Sequence, residues 1–196
     1  MSWLRADDPA LGSTADLADA IAVVEAFDPV DEVQRAAREQ ILDLCRQHDE
    51  SLHRTCYSGH LTGSALVVDA AAERTLLMFH RKLQMWLQPG GHVDGDANLA
   101  AAALREATEE TGIEGLEVWS EAVDIDVHRV APPKEPAHFH LDVRYVVRAP
   151  EGAKEQGNDE SEALRWVPLA DLGGLDLDDA TRRLADYGGT IARRYR

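Results

Sequence analysis

The segment NLAAAALREATEET, residues 98–111, restricts the fold of this chain more than any other. At 100° per residue it places short apolar side chains along one side of a helix. These side chains are Ala100, Ala103, Leu104 and Ala107. Because they are short, such a helix can approach a sheet closely, and Gly112 is a natural C-cap. The segment therefore predicts a helix packed directly against a β-sheet.

Short apolar runs on both sides of this helix predict the strands of that sheet. They occupy residues 62–69, 74–80, 116–130, 138–147 and 163–169. The pattern also predicts helices over 14–27 with Thr14 as N-cap, over 32–48 and over about 177–187. Residues 1–13 are expected to form a loose tail, and PGG at 89–91 is expected to break the chain.

The order of these elements predicts an α+β fold, a mixed sheet sandwiched by helices. The first 55 residues are interpreted as a helical extension, followed by one domain over residues 56–196. The extension could cover one face, restrict a pocket or form the interface of a homodimer. The sequence does not choose among these roles.

The net charge of the chain limits the classes of partner that it can bind. Thirty-six acidic and 20 basic residues give a net charge of −16, which disfavours nucleic acids and anionic membranes. A small phosphorylated substrate remains compatible if a cation stands between it and the protein. No apolar run reaches the ~18–20 residues of a membrane span. The N-terminus lacks a signal-peptide layout, and the two cysteines favour a reduced, cytoplasmic protein over one disulfide.

Three carboxylates crowd the end of the central helix. Glu106, Glu109 and Glu110 lie within one third of its circumference, at the edge of the alanine stripe. Like charges at this spacing repel one another, and the helix dipole at this end favours cations. Taken alone, an acidic face is more typical of a solvated helix. A divalent cation would remove both costs, and Mg²⁺ prefers carboxylate oxygens.

The wider segment GHVDGDANLAAAALREATEETGI resembles the Nudix box in register. The matching positions are Gly91, Arg105, Glu106, Ala107, Glu109, Glu110, Gly112 and Ile113. The preceding WLQPGG and the later ESEALRWVPLADL also resemble this family, so the likeness covers about residues 60–172. One position departs, because Ala97 stands where the box has its first Glu.

The resemblance implies a Nudix-like α/β/α sandwich and hydrolysis of a nucleoside diphosphate linked to another moiety. It implies Mg²⁺, with Mn²⁺ as a substitute, bound mainly by Glu106 and Glu110, with Gly91 lining the site. Glu109 is expected as a further ligand or as the group that orients the attacking water. The general base is predicted to be Glu109 first, and Glu160 or Glu162 of the late acidic loop second.

Arg105 is counted with the catalytic residues, because in the family it pairs with the Glu that Ala97 replaces. Asp96 could take over that brace, or it could cap the helix as Asn98 could. The complete REATEETG run argues against an inactive protein.

The stretch HFHLD is the strongest candidate outside the box. Strand alternation places His138, His140, Asp142 and Arg144 on one face. That face could bind substrate phosphate, add a metal ligand or transfer protons, or it could be a polar sheet face under a loop. A histidine-carboxylate metal site independent of the box is less favoured. Arg81 could meet a phosphate, although a solvated turn is an equal interpretation.

Two other functions compete with a pyrophosphate-cleaving hydrolase. A Nudix-like ligand sensor would bind nucleotides without turnover, but such proteins usually lose box glutamates, and this chain keeps Glu106, Glu109 and Glu110. An isomerase resembling isopentenyl diphosphate isomerase would have an altered box, whereas this box is nearly standard. The sequence does not name the substrate.

Overall fold

The computed structural model describes residues 1–157 and 161–196. Over those ranges the chain forms a mixed sheet between two layers of helices. The strands are β1 (Trp3–Arg5), β2 (His60–Val68), β3 (Arg74–His80), β4 (Met85–Leu87), β5 (Gly90–His92), β6 (Glu117–Trp119), β7 (Asp124–Val130), β8 (His138–Arg148) and β9 (Ser161–Pro168). The helices are α1 (Leu17–Ala26), α2 (Glu32–Gln47), α3 (Leu99–Thr111) and α4 (Asp179–Arg194), with 3-10 turns at Pro9–Leu11 and Leu169–Gly174.

The centre of the sheet is the parallel pair β2 and β8. His60 lies opposite His140 and Val68 lies opposite Arg148, so both strands begin at the same edge. The other strand pairs are antiparallel, and the main order is β1-β6-β8-β2-β3-β4. β5 pairs with the first half of β2, β7 pairs with β8, and β9 pairs with β3.

The two faces of the sheet differ. On one face Leu61 and Val143 join the apolar core formed with α1, α2 and α3. The alanine stripe lies there, and a Cβ atom on Gly63 would stand 3.0 Å from the backbone nitrogen of Ala103. The predicted close approach of helix and sheet is therefore confirmed.

The opposite face is half apolar and half polar. Leu66 and Val146 pack under α4, against residues such as Leu184. The first half of the same face instead carries His60, Thr62 and Ser64 on β2, with His140, Asp142 and Arg144 beside them on β8. Because α4 covers the apolar half, the polar half is left to line a cavity.

Local sequence explains the bounds of the central helix. The Asn98 side chain accepts a hydrogen bond from the Ala101 backbone nitrogen, and Gly112 ends the helix at a φ of 63°. No helix among residues 1–157 and 161–196 has the length and apolar character needed to cross a membrane.

Several local predictions are corrected. Asp16, and not Thr14, is the N-cap of α1, because its side chain accepts from the Ala18 backbone nitrogen. The run 116–130 contains two strands, β6 and β7, and α4 extends to Arg194. PGG does not simply break the chain: Gly90 and Gly91 belong to β5 and pair with β2.

The expectation of a loose N-terminal tail is wrong. Trp3–Arg5 forms an edge strand on β6. The Trp3 indole nitrogen donates to the Tyr195 carbonyl at 2.6 Å, and the Arg148 guanidinium lies 4.4 Å from the ring centre. These partners are far away in sequence, so no local pattern indicates them.

The division of the chain at residues 55 and 56 stays a prediction.

Replacing Trp3 by alanine tests this anchored strand. Loss of a half-buried indole is expected to lower the free energy of unfolding by roughly 2 kcal/mol. Urea unfolding would measure this change, with Val30→Ala as a control, since Val30 is 65% exposed. Equal stability of the two variants would show that the tail is loose after all.

Candidate active site

A cavity of about 790 Å³ opens where α3, β5 and the polar half of the sheet meet. Its walls include the C-terminal part of α3, the glycine pair of β5 (Gly90 and Gly91) and the start of β8, together with parts of β2, β3, β4, β7 and α4. Among the lining residues are Gly90, Gly91, Glu106, Glu109, Glu110 and His140. The fold thus brings the acidic cluster and one of the predicted substrate-binding histidines to one space.

Glu106 lies directly against the glycine pair. A Cβ atom on Gly91 would stand 2.3 Å from a carboxylate oxygen of Glu106, so no larger residue fits without moving that carboxylate. Only 14% of the Glu106 side chain is exposed. The absence of a side chain at residue 91 therefore lets this carboxylate touch the main chain.

Glu110 and Glu109 have different environments. The Gly90 backbone nitrogen donates a 2.8 Å hydrogen bond to the Glu110 carboxylate, which is buried. The Glu109 side chain is 60% exposed and lies 3.9 Å from the Arg105 guanidinium. Two carboxylates are thus held against the glycine pair, and the third faces solvent at the rim.

Arg105 is held by its neighbours without the missing Glu. Its guanidinium donates to the His92 carbonyl at 2.8 Å and forms an ion pair with Glu106. Asp96 does not brace it, because its carboxylate instead accepts from the backbone nitrogens of Thr14 and Asn98. The alternative in which Asn98 caps the helix is confirmed.

Ala97, at the position of the missing Glu, lies in an apolar environment. Its side chain is 1% exposed and belongs to the apolar core. Its backbone nitrogen donates to the Thr14 carbonyl at 2.6 Å. The N-terminal extension thus contacts the loop before α3 at the position of the missing Glu.

The electrostatic environment of Glu106 would be stabilised by additional positive charge. Burial raises the pKa of the Glu106 carboxyl above its ordinary value. Arg105 partly offsets this rise, whereas the nearby Glu109 carboxylate adds to it. The ionised form of Glu106 is therefore less stable here, relative to the neutral form, than it is in water.

The other predicted site residues are less closely tied to the cavity. Of the described residues, those that line it include Lys82 but neither Arg81 nor Glu162. Arg81 donates to the Ser161 carbonyl at 3.4 Å, and Glu162 accepts from the Gln84 side chain at 3.0 Å. Glu160 lies outside the described residues.

Comparison with protein-family models finds a match to the NUDIX domain over residues 60–186, more than half of the chain. The chain belongs to the Nudix hydrolase family. A search of curated proteins finds no match.

Solved structures agree with this fold. A NUDIX-family hydrolase from Clostridium perfringens has a TM-score of 0.51 at 22% identity, covering 67% of this chain and 97% of that one. The Nudix hydrolase RenU from M. Smegmatis has a TM-score of 0.50 at 21% identity, covering 70% and 89%. The predicted α+β sandwich is thus confirmed, and the family typically acts on nucleoside diphosphate derivatives.

The floor of the Nudix cavity is a buried ionic network. Arg144, whose side chain is 3% exposed, forms ion pairs with Asp124, Asp126 and Asp142 at 3.2, 3.4 and 2.6 Å. Arg183 of α4 contacts Asp124 and Asp126, each at 2.9 Å. Alternation along β8 indicated that Asp142 and Arg144 share a face. Their partners on β7 and α4 are distant in sequence, so only the folded structure reveals them.

The histidines of HFHLD belong to a larger group beside the Nudix box. The rings of His60, His92, His138 and His140 have neighbouring centres 4.7–5.4 Å apart. Burial, followed by neighbouring charged and imidazole groups, lowers the pKa of His92 to about 4 and that of His140 to about 3. Both rings are therefore neutral at pH 7, and in each ring one nitrogen carries a lone pair.

Arg144→Met tests the ionic floor of the Nudix cavity. Removing this cation takes the closest cation from the buried Asp142 and one of two cations from Asp124 and Asp126, which is expected to cost about 3–5 kcal/mol of unfolding free energy. Denaturant unfolding measures the loss. Arg129→Met on β7 serves as control, because Arg129 is exposed. An equal effect of both substitutions would show that the network contributes little.

Proposed function

We propose that the protein is a divalent-metal-dependent hydrolase that cleaves a phosphoanhydride bond in a nucleoside diphosphate-linked substrate. The observation that carries this proposal is the placement of Glu106 and Glu110 against Gly91 and Gly90 at the cavity wall. Two carboxylates that touch adjacent main-chain groups can share one cation. The family membership supports the reaction type.

The residues present fit such an ion. Mg²⁺ takes oxygen ligands and usually keeps waters that substrate phosphates can replace. Glu106 and Glu110 would supply carboxylate oxygens, Glu109 could add a third, and the bare backbone at Gly91 admits close approach. The raised pKa of Glu106 indicates a buried carboxylate that a cation would stabilise. Mn²⁺ has similar ligand preferences and would substitute.

When bound, the ion would polarise phosphoryl oxygens and lower the pKa of a bound water. The chain supplies the positioning. Arg105 orients Glu106 through their ion pair and is itself oriented by the His92 carbonyl. Most of the rate enhancement in such reactions comes from placement and electrostatics.

Glu109 is the first candidate for general base. Its carboxylate lies at the solvent-facing rim of the same cavity, where a water can reach it. It would take one proton as the water oxygen attacks phosphorus and the bridging P–O bond breaks, with the electron pair leaving on the bridging oxygen. Glu162 is the second candidate among described residues, although it stands outside the cavity lining.

A substrate panel distinguishes this hydrolase from a non-hydrolytic nucleotide sensor. It would contain nucleoside triphosphates, oxidised nucleotides, ADP-ribose, nucleotide sugars, dinucleotides and coenzyme A derivatives, each with Mg²⁺ or Mn²⁺. Metal-dependent release of a phosphorylated product from any member supports the hydrolase. Tight binding with no product from any of them would instead identify a sensor.

Glu106→Gln and Glu110→Gln are each expected to reduce Mg²⁺-dependent kcat by at least ~100-fold, because each removes a charged ligand. Steady-state rates on the best panel substrate measure this effect. Glu114→Gln is the matched control, since Glu114 is exposed just after the same helix. Wild-type rates in either ligand variant would contradict the proposal.

Glu106→Gln is further expected to raise the Tm of the metal-free protein. Because the pKa of Glu106 is raised on folding, stability falls as the pH rises through that folded value, so at neutral pH the ionised group costs stability. Thermal unfolding with a chelator measures this change. Addition of Mg²⁺ should raise the Tm of the wild type but not of the variant. An unchanged or lower Tm without metal would mean that the ionised Glu106 carboxylate does not destabilise the folded protein.

A further inference from the structure

Three imidazoles converge at the edge of the sheet where β2 and β8 begin. His60 lies opposite His140 in the parallel register, and His138 lies two residues earlier on the same face of β8. The ring centres are 4.7 Å apart for His60 and His138, 5.0 Å for His60 and His140, and 5.4 Å for His138 and His140. One ring nitrogen of each lies within 4.8 Å of the other two.

The His60 ring holds an unused lone pair. The side chain is 1% exposed, and its Nδ1 lies 3.3 Å from the Cys56 carbonyl. Since a carbonyl only accepts, Nδ1 carries the proton and Nε2 carries the lone pair. Within the described part of the chain, this Nε2 is buried and has no hydrogen-bond partner. A buried polar atom without a partner destabilises the folded protein and requires an explanation.

His138 is prepared in the same way. Its Nδ1 lies 2.8 Å from the Pro136 carbonyl, so its Nε2 also carries the lone pair. A backbone carbonyl on the second ring nitrogen is the contact that fixes the tautomer and orientation of metal-ligating histidines. His60 and His138 thus show the outer contacts expected of ligands.

We propose that His60, His138 and His140 bind a divalent transition metal ion, Zn²⁺ in the first place. Imidazole nitrogen suits zinc and its neighbours, whereas Mg²⁺ prefers oxygen. Three histidines and one open position form a common zinc geometry, with bonds of about 2.0–2.1 Å. The three nitrogens would move closer together to occupy three corners of a tetrahedron around the ion.

The open position would face the Nudix cavity. His140 lines that cavity together with His92, whose ring centre is 5.3 Å from that of His140. A water, a fourth imidazole or a substrate group can therefore reach the ion from the cavity. The ligand type separates this site from the carboxylates of Glu106 and Glu110, so the inference does not depend on the proposed function.

The test titrates the metal-stripped full chain with Zn²⁺ by calorimetry and with Co²⁺ by visible absorption. One Zn²⁺ per chain and a Co²⁺ spectrum typical of few-coordinate nitrogen ligation are expected. His60→Gln, His138→Gln and His140→Gln should each weaken Zn²⁺ binding by at least ~100-fold, beyond what loss of an outer contact alone costs. His53→Gln is the matched control, because His53 is exposed.

A second set of variants locates the ion. The double variant Glu106→Gln with Glu110→Gln should keep the Zn²⁺ affinity of the wild type. If it loses Zn²⁺ while the histidine variants keep it, the ion belongs to the box and the inference is overturned. Absence of Zn²⁺ binding by folded wild type overturns it as well.

Circular dichroism checks the fold of each variant. His140 is only partly buried, so His140→Gln tests the site even if the substitution of the buried His60 prevents folding. Intact Zn²⁺ binding without hydrolysis of any panel substrate would overturn the proposed function alone. Mg²⁺-dependent hydrolysis without Zn²⁺ binding would overturn this inference alone.

Discussion

The parallel pairing of β2 with β8 is the interaction on which the rest of this structure depends. It aligns the two strand starts residue by residue, so that Thr62 lies opposite Asp142 and both Thr62 and Ser64 donate to that carboxylate at 2.9 Å. The same alignment places His60 opposite His140. Because β5 also pairs with the start of β2, the glycines that receive the glutamates lie beside this polar surface. The cavity is a consequence of where these strands begin.

Two groups of acids in this cavity meet different electrostatic conditions. Asp124, Asp126 and Asp142 surround Arg144. Burial acts to raise the pKa of Asp142, but Arg144, His128 and the Ser64 hydroxyl together outweigh burial, so that pKa is lowered. Glu106 keeps a raised pKa even beside Arg105. The first group carries its own counter-charge and serves as a rigid floor. The second is left with a cost that an external cation would relieve, which is why the metal is proposed there.

Much of the fold could be predicted because its signals are local. The alanine stripe, the cap at Asn98 and the left-handed residue Gly112 define α3 without reference to other segments. The Nudix box then supplied the register of the glutamates. The strand of Trp3–Arg5 could not be predicted, because three residues carry little pattern and their partners are more than 100 residues away.

The histidine cluster likewise depends on contacts between residues that are distant in sequence. Alternation within HFHLD correctly placed His138 and His140 on one face, but His60 joins them only through the β2 to β8 register. A single stretch could not reveal that a third imidazole lies within reach, or that its Nε2 has no hydrogen-bond partner among residues 1–157 and 161–196. The local sequence pattern therefore favours an independent histidine site less than the assembled sheet does.

The contact between Ala97 and Thr14 is made by the main chain alone. It joins the main-chain nitrogen of one residue to the main-chain carbonyl of the other, so this hydrogen bond places no demand on the side chain at position 14. The loop before α3 is thus tied to the N-terminal extension at the position where the Nudix box has its first Glu, and this tie depends on the backbone path of the extension.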